Sequence, residues 1–341
     1  MYVDKEPSKT QWRSLYEAAI EFKKAEPWKV LYDTDFICIE NPVDKTWGYC
    51  SVMGRMGEHF AIGVYLGLEG LHGLNTVLEK GETIPSHQLM HYQDCLMCSF
   101  EDRNDLTPAD RKQIKDLGLT FRGRNAWPMF RRMEPGFYPW PIHAEECVYL
   151  TQAIQQVLVV IEDIKAGKVA IDKTKRQSIL RYRPDNHPEH EWLSKEIELP
   201  YPNPIYHEVP LQDEPLISEI KQAGKIKNAV FQVDICYSPS PVQESRDNRP
   251  YYPRLFLLID KESEMILDAE VFEHKKEDAN VALNKLISFF LENGVPEEIH
   301  VQNDALQAIL TDLCKQTDIK LKKVNHLKIM NDAVEQMGMF L

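Results

Sequence analysis

Val230-Phe-Gln-Val-Asp-Ile-Cys236 opens the most regularly patterned part of this 341-residue chain, and its β-branched and apolar residues predict a strand. Two further apolar runs follow it, Tyr251–Ile259 and Met265–Phe272. The polar stretch Asp260–Glu264 between those two runs is typical of a tight turn. These three successive strands predict an antiparallel meander at the start of a domain.

After the meander, helical and strand patterns alternate. Asp278–Glu292 predicts a helix, because Asn293-Gly294 is a typical C-terminal stop. The remaining segments predict a strand, a helix, a strand and a helix, namely Glu298–Gln302, Ala305–Gln316, Ile319–Val324 and Leu327–Met339. Residues 225–341 therefore have the order β-β-β-α-β-α-β-α, which predicts an α/β domain with a mixed five-stranded sheet and helices on its faces.

This order resembles that of the ribonuclease-H-like superfamily, which includes integrases and transposases. Arg249–Asp260, followed by Ser263 and Met265-Ile-Leu267, is similar to the second and third strands of transposase catalytic cores. Asn293–Asp304 looks like their approach to the fourth strand. Members of that superfamily carry one acid on the first strand, one at the end of the fourth, and one on the last helix. The resemblance implies these catalytic and metal-ligating positions: Asp234, Asp304 and Glu335, with Asp332 as the alternative on the final helix.

Carboxylates at these positions would hold Mg²⁺ or Mn²⁺, which activate a water and stabilise the leaving oxygen at a phosphodiester. Two features depart from the family pattern. Ala305 follows Asp304 where integrases have Asn-Gly, and the acids nearest the first helix, Glu277 and Asp278, lie at its start, where helix capping explains them equally well. The preferred hypothesis is therefore a catalytically silent ribonuclease-H-like module for binding or scaffolding. The alternative is a divalent-metal-dependent nuclease or phosphodiesterase.

Residues 1–168 predict an α+β domain of unknown function. A helix at Trp12–Ala25 is followed by strand-like segments, and the long amphipathic pattern from His143 to Lys165 predicts a closing helix. His91–Phe100 has β character, and Arg122–Trp140, rich in proline, glycine and aromatic residues, predicts an ordered, irregular loop. Residues 169–224 are proline-rich and predict a connector that carries one short hairpin.

The whole chain also resembles an uncharacterised group of bacterial two-domain proteins. The resemblance lies in three motifs, Met53–Glu58, Asp94–Arg103 and Trp127–Gly136. It supports the two-domain layout and implies no activity.

Composition narrows the class of protein. Hydrophobic residues make up 43% of the chain and charged residues 27%, which is an ordinary globular mixture. The net charge of −13 repels phosphate backbones, so nucleic-acid binding would need a local basic patch or bridging metal ions. The partner is therefore expected to be either a protein or a nucleic acid held by such a patch.

Several features predict a cytoplasmic protein without membrane association. The first twelve residues lack the apolar core of a signal peptide. The most apolar run, Val157–Ile161, is far shorter than the ~20 residues that span a bilayer. The seven cysteines are odd in number and scattered, which indicates reduced thiols.

Two other constellations invite binding hypotheses. His87, His91, Cys95 and Cys98 have spacing that suits zinc on a helix, but Leu89–Phe100 is interpreted as a strand, which disfavours zinc. Arg122–Trp140 interleaves arginines with aromatic rings, as single-stranded nucleic-acid sites do. We favour the alternative that its rings are packed and its arginines pair with carboxylates of this acidic chain.

A basic cluster lies close to the predicted acids in sequence. It consists of Lys320, Lys322, Lys323, His326 and Lys328. Most such runs are solvated faces, but a nucleic-acid backbone would pass here if the acids were catalytic.

Overall fold

The computed structural model describes residues 5–184, 191–245, 248–273 and 277–340. The chain forms two compact units. The N-terminal unit comprises residues 1–79, 92–135 and 139–203, and the C-terminal unit comprises residues 80–91, 136–138 and 204–341. These units differ from the predicted boundaries at 168 and 225. Residues 80–91 and 136–138 belong to the C-terminal unit, and the predicted connector 169–224 is divided between the two units at residue 203.

The N-terminal unit is built on a seven-stranded sheet of order β5-β4-β3-β2-β1-β6-β7. Its strands are β1 (Ile37–Glu40), β2 (Trp47–Met53), β3 (Ala61–Leu66), β4 (Cys95–Glu101), β5 (Trp127–Met133), β6 (Gln177–Tyr182) and β7 (Leu193–Glu198). Neighbours are antiparallel except β1 and β6, which are parallel with Cys38 opposite Leu180. The hairpin predicted within the connector is therefore β6 and β7, and it extends this sheet.

The helices of this unit are α1 (Lys9–Ala25), α2 (Gly67–Lys80), α4 (Pro108–Asp116) and α5 (Ala144–Lys165). The apolar residues of α1 and α5 share one core with strand residues such as Ile39 and Val64. By length and composition, α5 is apolar enough to cross a membrane, a possibility that the short run Val157–Ile161 did not suggest. More than half of its apolar window is buried inside the unit, as in the core helix of a folded domain.

Two sequence predictions for this unit are wrong. Arg122–Trp140 is not wholly irregular, because it contains β5, which pairs with β4. Pro128 is tolerated there since β5 is an edge strand, where a missing N–H breaks no ladder bond on the open side. The strand predicted at His91–Phe100 begins only at Cys95, and His91 lies in a short 3-10 turn.

The C-terminal unit contains a five-stranded mixed sheet of order β10-β9-β8-β11-β12. Its elements after residue 204 are α6 (Glu214–Gln222), β8 (Val230–Tyr237), β9 (Arg254–Asp260), β10 (Ile266–Phe272), α7 (Asp278–Asn293), β11 (Glu298–Val301), α8 (Asp304–Gln316), β12 (Lys320–Lys323) and α9 (Lys328–Phe340). The first three strands are antiparallel, and β8, β11 and β12 are parallel. The predicted mixed α/β class is confirmed.

The alternation of side chains along β9 supplies both faces of this sheet. Phe256 and Leu258 face a core shared with Leu286 of α7 and Leu310 of α8. Leu255, Leu257 and Ile259 face the opposite side of the sheet. There they pack against Met330 and Val334 of α9 and against Leu327, which immediately precedes that helix. The sheet is therefore covered by α7 and α8 on one face and by α9 on the other.

Residues 80–91 and 136–138 complete the C-terminal unit. Gln88, on the short helix α3 (Ser86–Leu89), pairs with the backbone of Tyr237 through both atoms of its amide, at 2.9 and 3.3 Å. The His91 ring lies 4.0 Å from the Tyr237 ring and accepts the Gly136 N–H at Nδ1 over 3.3 Å. These segments thus cover the C-terminal end of β8.

All seven cysteines lie within the described residues and are free thiols. Six are buried, and burial raises the pKa of thiols such as Cys38 and Cys95 to about 12. Thiols of this kind are unreactive at neutral pH.

Candidate functional site

The candidate site surrounds Asp234, the one predicted acid that is buried. Asp234 lies on β8 and is 3% exposed. The parallel register of β8 and β11 pairs Val230 with Glu298 and Gln232 with His300. Two residues further along both strands, the same register brings Gln302 beside Asp234. The residue opposite the first acid is therefore an amide.

Three N–H donors satisfy the Asp234 carboxylate. Gln302 Nε2 donates to Oδ2 over 2.5 Å. Asn303 Nδ2 and the Ile235 backbone N–H both donate to Oδ1, over 2.8 and 2.9 Å. Both carboxylate oxygens are thus engaged by protein groups.

Backbone groups fix the orientation of both amides. Asn303 is the N-cap of α8, and its Oδ1 accepts the Leu306 N–H over 2.6 Å. Gln302 Oε1 accepts the Leu327 N–H over 3.3 Å. Because each amide oxygen is held by a backbone donor, each NH₂ group points to Asp234. Aspartate at 303 would cap the helix equally well but could not donate to Asp234.

A third amide comes from α9. Asn331 Oδ1 lies 3.5 Å from Gln302 Nε2, and Asn331 Nδ2 lies 3.1 Å from His326 Nδ1. Helix α9 buries Met330 and Val334 against the sheet, and this phase leaves Asn331 at the sheet end that carries Gln302. We call Asp234, Gln302, Asn303 and Asn331 the amide cluster.

The other predicted acids lie elsewhere. Asp304 is the first residue of α8, is exposed, and pairs with Lys323. Asp332 and Glu335 are exposed on α9. Among the residues that the structure describes, no group of three or more His, Cys, Asp or Glu side chains could hold a metal ion. The structure therefore does not gather the predicted acids into one cluster.

Burial is the largest influence on the pKa of Asp234. Burial raises the pKa of Asp234, while the Gln302 and Ile235 hydrogen bonds and the Arg254 charge oppose that rise. Arg254 is itself committed to Asp278, which it contacts through Nε at 3.1 Å and through Nη2. Asp278, the first residue of α7, is thus neutralised by an arginine.

This donor set does not fit a pair of divalent cations. Mg²⁺ and Mn²⁺ need several oxygen ligands, and two such ions need bridging carboxylates. Here both oxygens of Asp234 accept N–H bonds, and the nearest side chains present NH₂ groups to it. A cation at this point would have to displace Gln302 or Asn303.

In both regions that suggested nucleic-acid binding, several basic side chains pair with carboxylates of the chain itself. Arg131 makes a bidentate ion pair with Asp110, and Arg132 pairs with Asp94 and Glu146. These contacts support the packed alternative for the Arg122–Trp140 stretch. In the basic cluster, Lys320 pairs with Glu298 and Lys323 with Asp304, which neutralises two of its cations.

The residues of the zinc hypothesis are split between the two units. His87 and His91 belong to the C-terminal unit, whereas Cys95 and Cys98 lie on β4 of the N-terminal unit. Burial lowers the pKa of His87, and nearby Glu335 opposes that effect. His91 packs against the Tyr237 and Tyr252 rings.

Comparisons with known proteins give two family models and several similar structures, without an activity. Residues 12–181 match a model described as Domain of unknown function (DUF7309), and residues 216–338 match one described as Domain of unknown function (DUF6930). No curated protein matches the chain. Kinship with bacterial two-domain proteins stays a prediction.

Among solved structures, the chain is similar to retroviral integrase catalytic cores. The HTLV-2 integrase catalytic core domain in complex with magnesium matches in its dimeric form at 20% identity, over 29% of this chain and 63% of that chain, with a TM-score of 0.22. Its trimeric form matches at 17% identity, over 33% and 70%, with a TM-score of 0.25. The simian T-cell lymphotropic virus intasome in complex with PP2A regulatory subunit B56 gamma matches at 18% identity, over 34% and 41%, with a TM-score of 0.24. The chain thus spans less than two thirds of the first of these structures, and no site residue is transferred from them.

Proposed function

We propose that the C-terminal unit is a ribonuclease-H-like module that serves binding or scaffolding and does not cleave phosphodiesters with divalent metals. The strand order β10-β9-β8-β11-β12 supports the fold assignment. The observation that carries the functional part is the amide cluster, in which Gln302 and Asn303 take up both oxygens of Asp234. A position that would require metal-bridging carboxylates holds amide donors instead.

The chemistry of the cluster suits a structural role. A buried carboxylate with three N–H donors and a nearby arginine is satisfied without a ligand. The cluster ties the ends of β8 and β11 to the start of α8 and to α9. It thereby fixes the sheet end at which α/β proteins commonly bind their ligands.

The proposed partner is a protein rather than a nucleic acid. The molecule is strongly acidic, with a net charge of −13. Pairing of Lys320 and Lys323 with Glu298 and Asp304 weakens the basic cluster as a backbone-binding surface. We place the protein in the cytoplasm on the evidence of its cysteines.

A cleavage assay tests this proposal. Fluorescently labelled single-stranded and double-stranded DNA and RNA would be incubated with the full chain in Mg²⁺ or Mn²⁺. We expect no cleavage above that of Asp234→Asn. Metal-dependent cleavage that is lost in Asp234→Asn and kept in Glu292→Gln, an exposed acid of α7 outside the predicted site, would establish the nuclease alternative instead.

A further inference from the structure

The N-terminal unit contains a cavity of about 530 Å³ whose chemistry is unlike the rest of this acidic chain. It lies between the C-terminal end of α1, the turn that follows, and the loop joining β2 to β3. Lys23, Lys29 and Arg55 supply its cations, Glu26 supplies its carboxylate, and Trp28 and Phe60 supply its rings. Its volume falls in the range of small-molecule sites, about 300–1,000 Å³.

Among the residues that the structure describes, two of the three cations at this cavity form no ion pair with a carboxylate. Lys29 pairs with Glu26 over 2.5 Å. Within the described part of the chain, neither Lys23 nor Arg55 lies within ion-pairing distance of a carboxylate. Acidic residues outnumber basic residues in the sequence, 53 to 40, so a basic side chain without a carboxylate partner is not explained by a shortage of carboxylates. Three cations and one carboxylate line this cavity, and the net positive charge favours an anionic ligand.

Lys23 is held in place by a carbonyl oxygen and two aromatic rings, without a direct ion pair to a described carboxylate. Its Nζ donates to the Asn125 carbonyl over 2.6 Å. The same atom lies 4.3 Å from the centre of the Phe60 ring and 4.7 Å from that of Phe100. Burial lowers the pKa of Lys23, the Glu26 charge opposes this effect, and a bound anion would oppose it further. The ammonium is thus positioned before any ligand arrives.

The loop between β2 and β3 brings the second cation to the cavity. Gly54 has φ +134°, and a Cβ there would lie 2.7 Å from Phe60 and 3.1 Å from Trp28, so only glycine allows this approach to the rings. The next residue, Arg55, stacks its guanidinium 3.7 Å from the centre of the Tyr32 ring. Stacking of this kind orients a guanidinium and leaves its N–H groups free to bind phosphate.

We propose that this cavity binds a free nucleotide. Lys23 and Arg55 would bind its phosphate groups. Its base would lie against the part of the half-buried Phe60 ring that Lys23 and Trp28 leave uncovered. The volume exceeds what inorganic phosphate fills, and the ring wall suits a flat heterocycle. This site is in the N-terminal unit and does not depend on the function proposed for the C-terminal unit.

Calorimetric titration of the full chain with ADP tests the proposal, with inorganic phosphate and adenosine as separate titrants. We expect ADP to bind more tightly than either titrant, because only ADP uses both the cations and the rings. Arg55→Glu and Lys23→Met should each weaken ADP binding by about tenfold or more, as expected for the loss of a charge-assisted contact. Lys24→Met is the matched control, since Lys24 is exposed on α1 and pairs with Glu21.

Arg55 is exposed, so Arg55→Glu should fold normally, which its melting temperature would verify. The proposal is overturned if ADP does not bind, or if Arg55→Glu and Lys23→Met bind it as the wild type does. Equal affinity for phosphate and ADP would contradict the role of the rings. Equal affinity for adenosine and ADP would contradict the role of the cations.

Discussion

At the scale of single residues, Asp234 shows how a carboxylate can persist in a protein interior without a metal. Desolvation raises its pKa, and a buried charge of this kind is costly unless it is hydrogen-bonded. Gln302, Asn303 and the Ile235 N–H supply three donors. The dependence is mutual, because the amide NH₂ groups would lose their acceptor if Asp234 were replaced.

We expect Asp234→Asn to lower the free energy of unfolding by about 1–3 kcal/mol, the usual penalty for leaving a buried polar group unpaired. Asparagine keeps one acceptor, but its own NH₂ group would face the NH₂ group of Gln302 or Asn303. Urea denaturation at neutral pH measures the change, with exposed Asp304→Asn as the control. A variant as stable as the wild type would show that the amide cluster has no structural role.

The position of Asp234 was predictable from the sequence, but its partners were not. The strand pattern placed Asp234 on β8, and the family resemblance then suggested Asp304 as its neighbour. In the structure β11 ends at Val301 and Asp304 already belongs to α8, so register brings Gln302 to Asp234. Counting residues from the start of both parallel strands would have indicated Gln302. Asn331 and Glu335 are four residues apart and share one face of α9, so the choice between them depends on how α9 is placed along β9, which periodicity alone does not fix.

At the scale of elements, the strand that sequence analysis missed has an unusual composition. β5 contains Pro128 and four charged or aromatic neighbours. Proline argues against a central strand, but β5 is an edge of its sheet. Local composition therefore indicated a loop at a place where a sheet edge tolerates the same residues.

The α2–β4 region depends on a close approach that only glycine permits. A Cβ on Gly73 of α2 would lie 1.9 Å from the Tyr92 carbonyl oxygen. We expect Gly73→Ala to lower the free energy of unfolding by about 1–3 kcal/mol despite alanine's better helix propensity, because backbone must move. Thermal and urea denaturation measure this, with exposed Glu79→Ala on the same helix as the control. An unchanged or raised stability would mean that α2 is packed less closely than described.

The segment that carries His91 should make stability depend on pH. Burial, with a smaller contribution from the Arg254 charge, lowers the pKa of His91 from 6.5 to about 3. The unfolded chain therefore binds a proton at this ring before the folded chain does, so this contribution to stability is present above pH 6.5 and is lost as the pH falls towards 3.

We expect His91→Gln to remove that part of the pH dependence while keeping an acceptor for the Gly136 N–H. Urea denaturation across pH 3 to 7 would compare it with exposed His207→Gln in the same unit. The same slope in the wild type and in His91→Gln would contradict burial of a neutral ring.

At the scale of the whole molecule, the α/β class and the presence of two units were predictable, but the composition of each unit was not. Residues 80–91 and 136–138 belong to the C-terminal unit although they are surrounded in sequence by elements of the N-terminal unit. Such long-range partners, including Gln88 with Tyr237 and His91 with Tyr252, leave no signal in local periodicity. Overall charge is equally uninformative about position, since a cavity with unpaired cations occurs in a chain of net charge −13.

Amides surround Asp234 where a two-metal site would need carboxylates, and substitution can introduce those carboxylates. Gln302→Glu together with Asn331→Asp would place three carboxylates around one point. Their mutual repulsion should lower stability without metal, and Mn²⁺ should restore it by binding the folded state. Gln212→Glu with Gln336→Glu, both at exposed positions of the same unit, is the matched control, because it adds the same two negative charges outside the amide cluster.

The most direct measurement is therefore the melting temperature of the full chain as a function of Mn²⁺ concentration. We predict that Mn²⁺ shifts the wild type no more than it shifts Asp234→Asn, and that it raises the melting temperature of the Gln302→Glu, Asn331→Asp variant. A Mn²⁺-dependent rise in the wild type that Asp234→Asn abolishes would contradict the account and indicate a functional metal site.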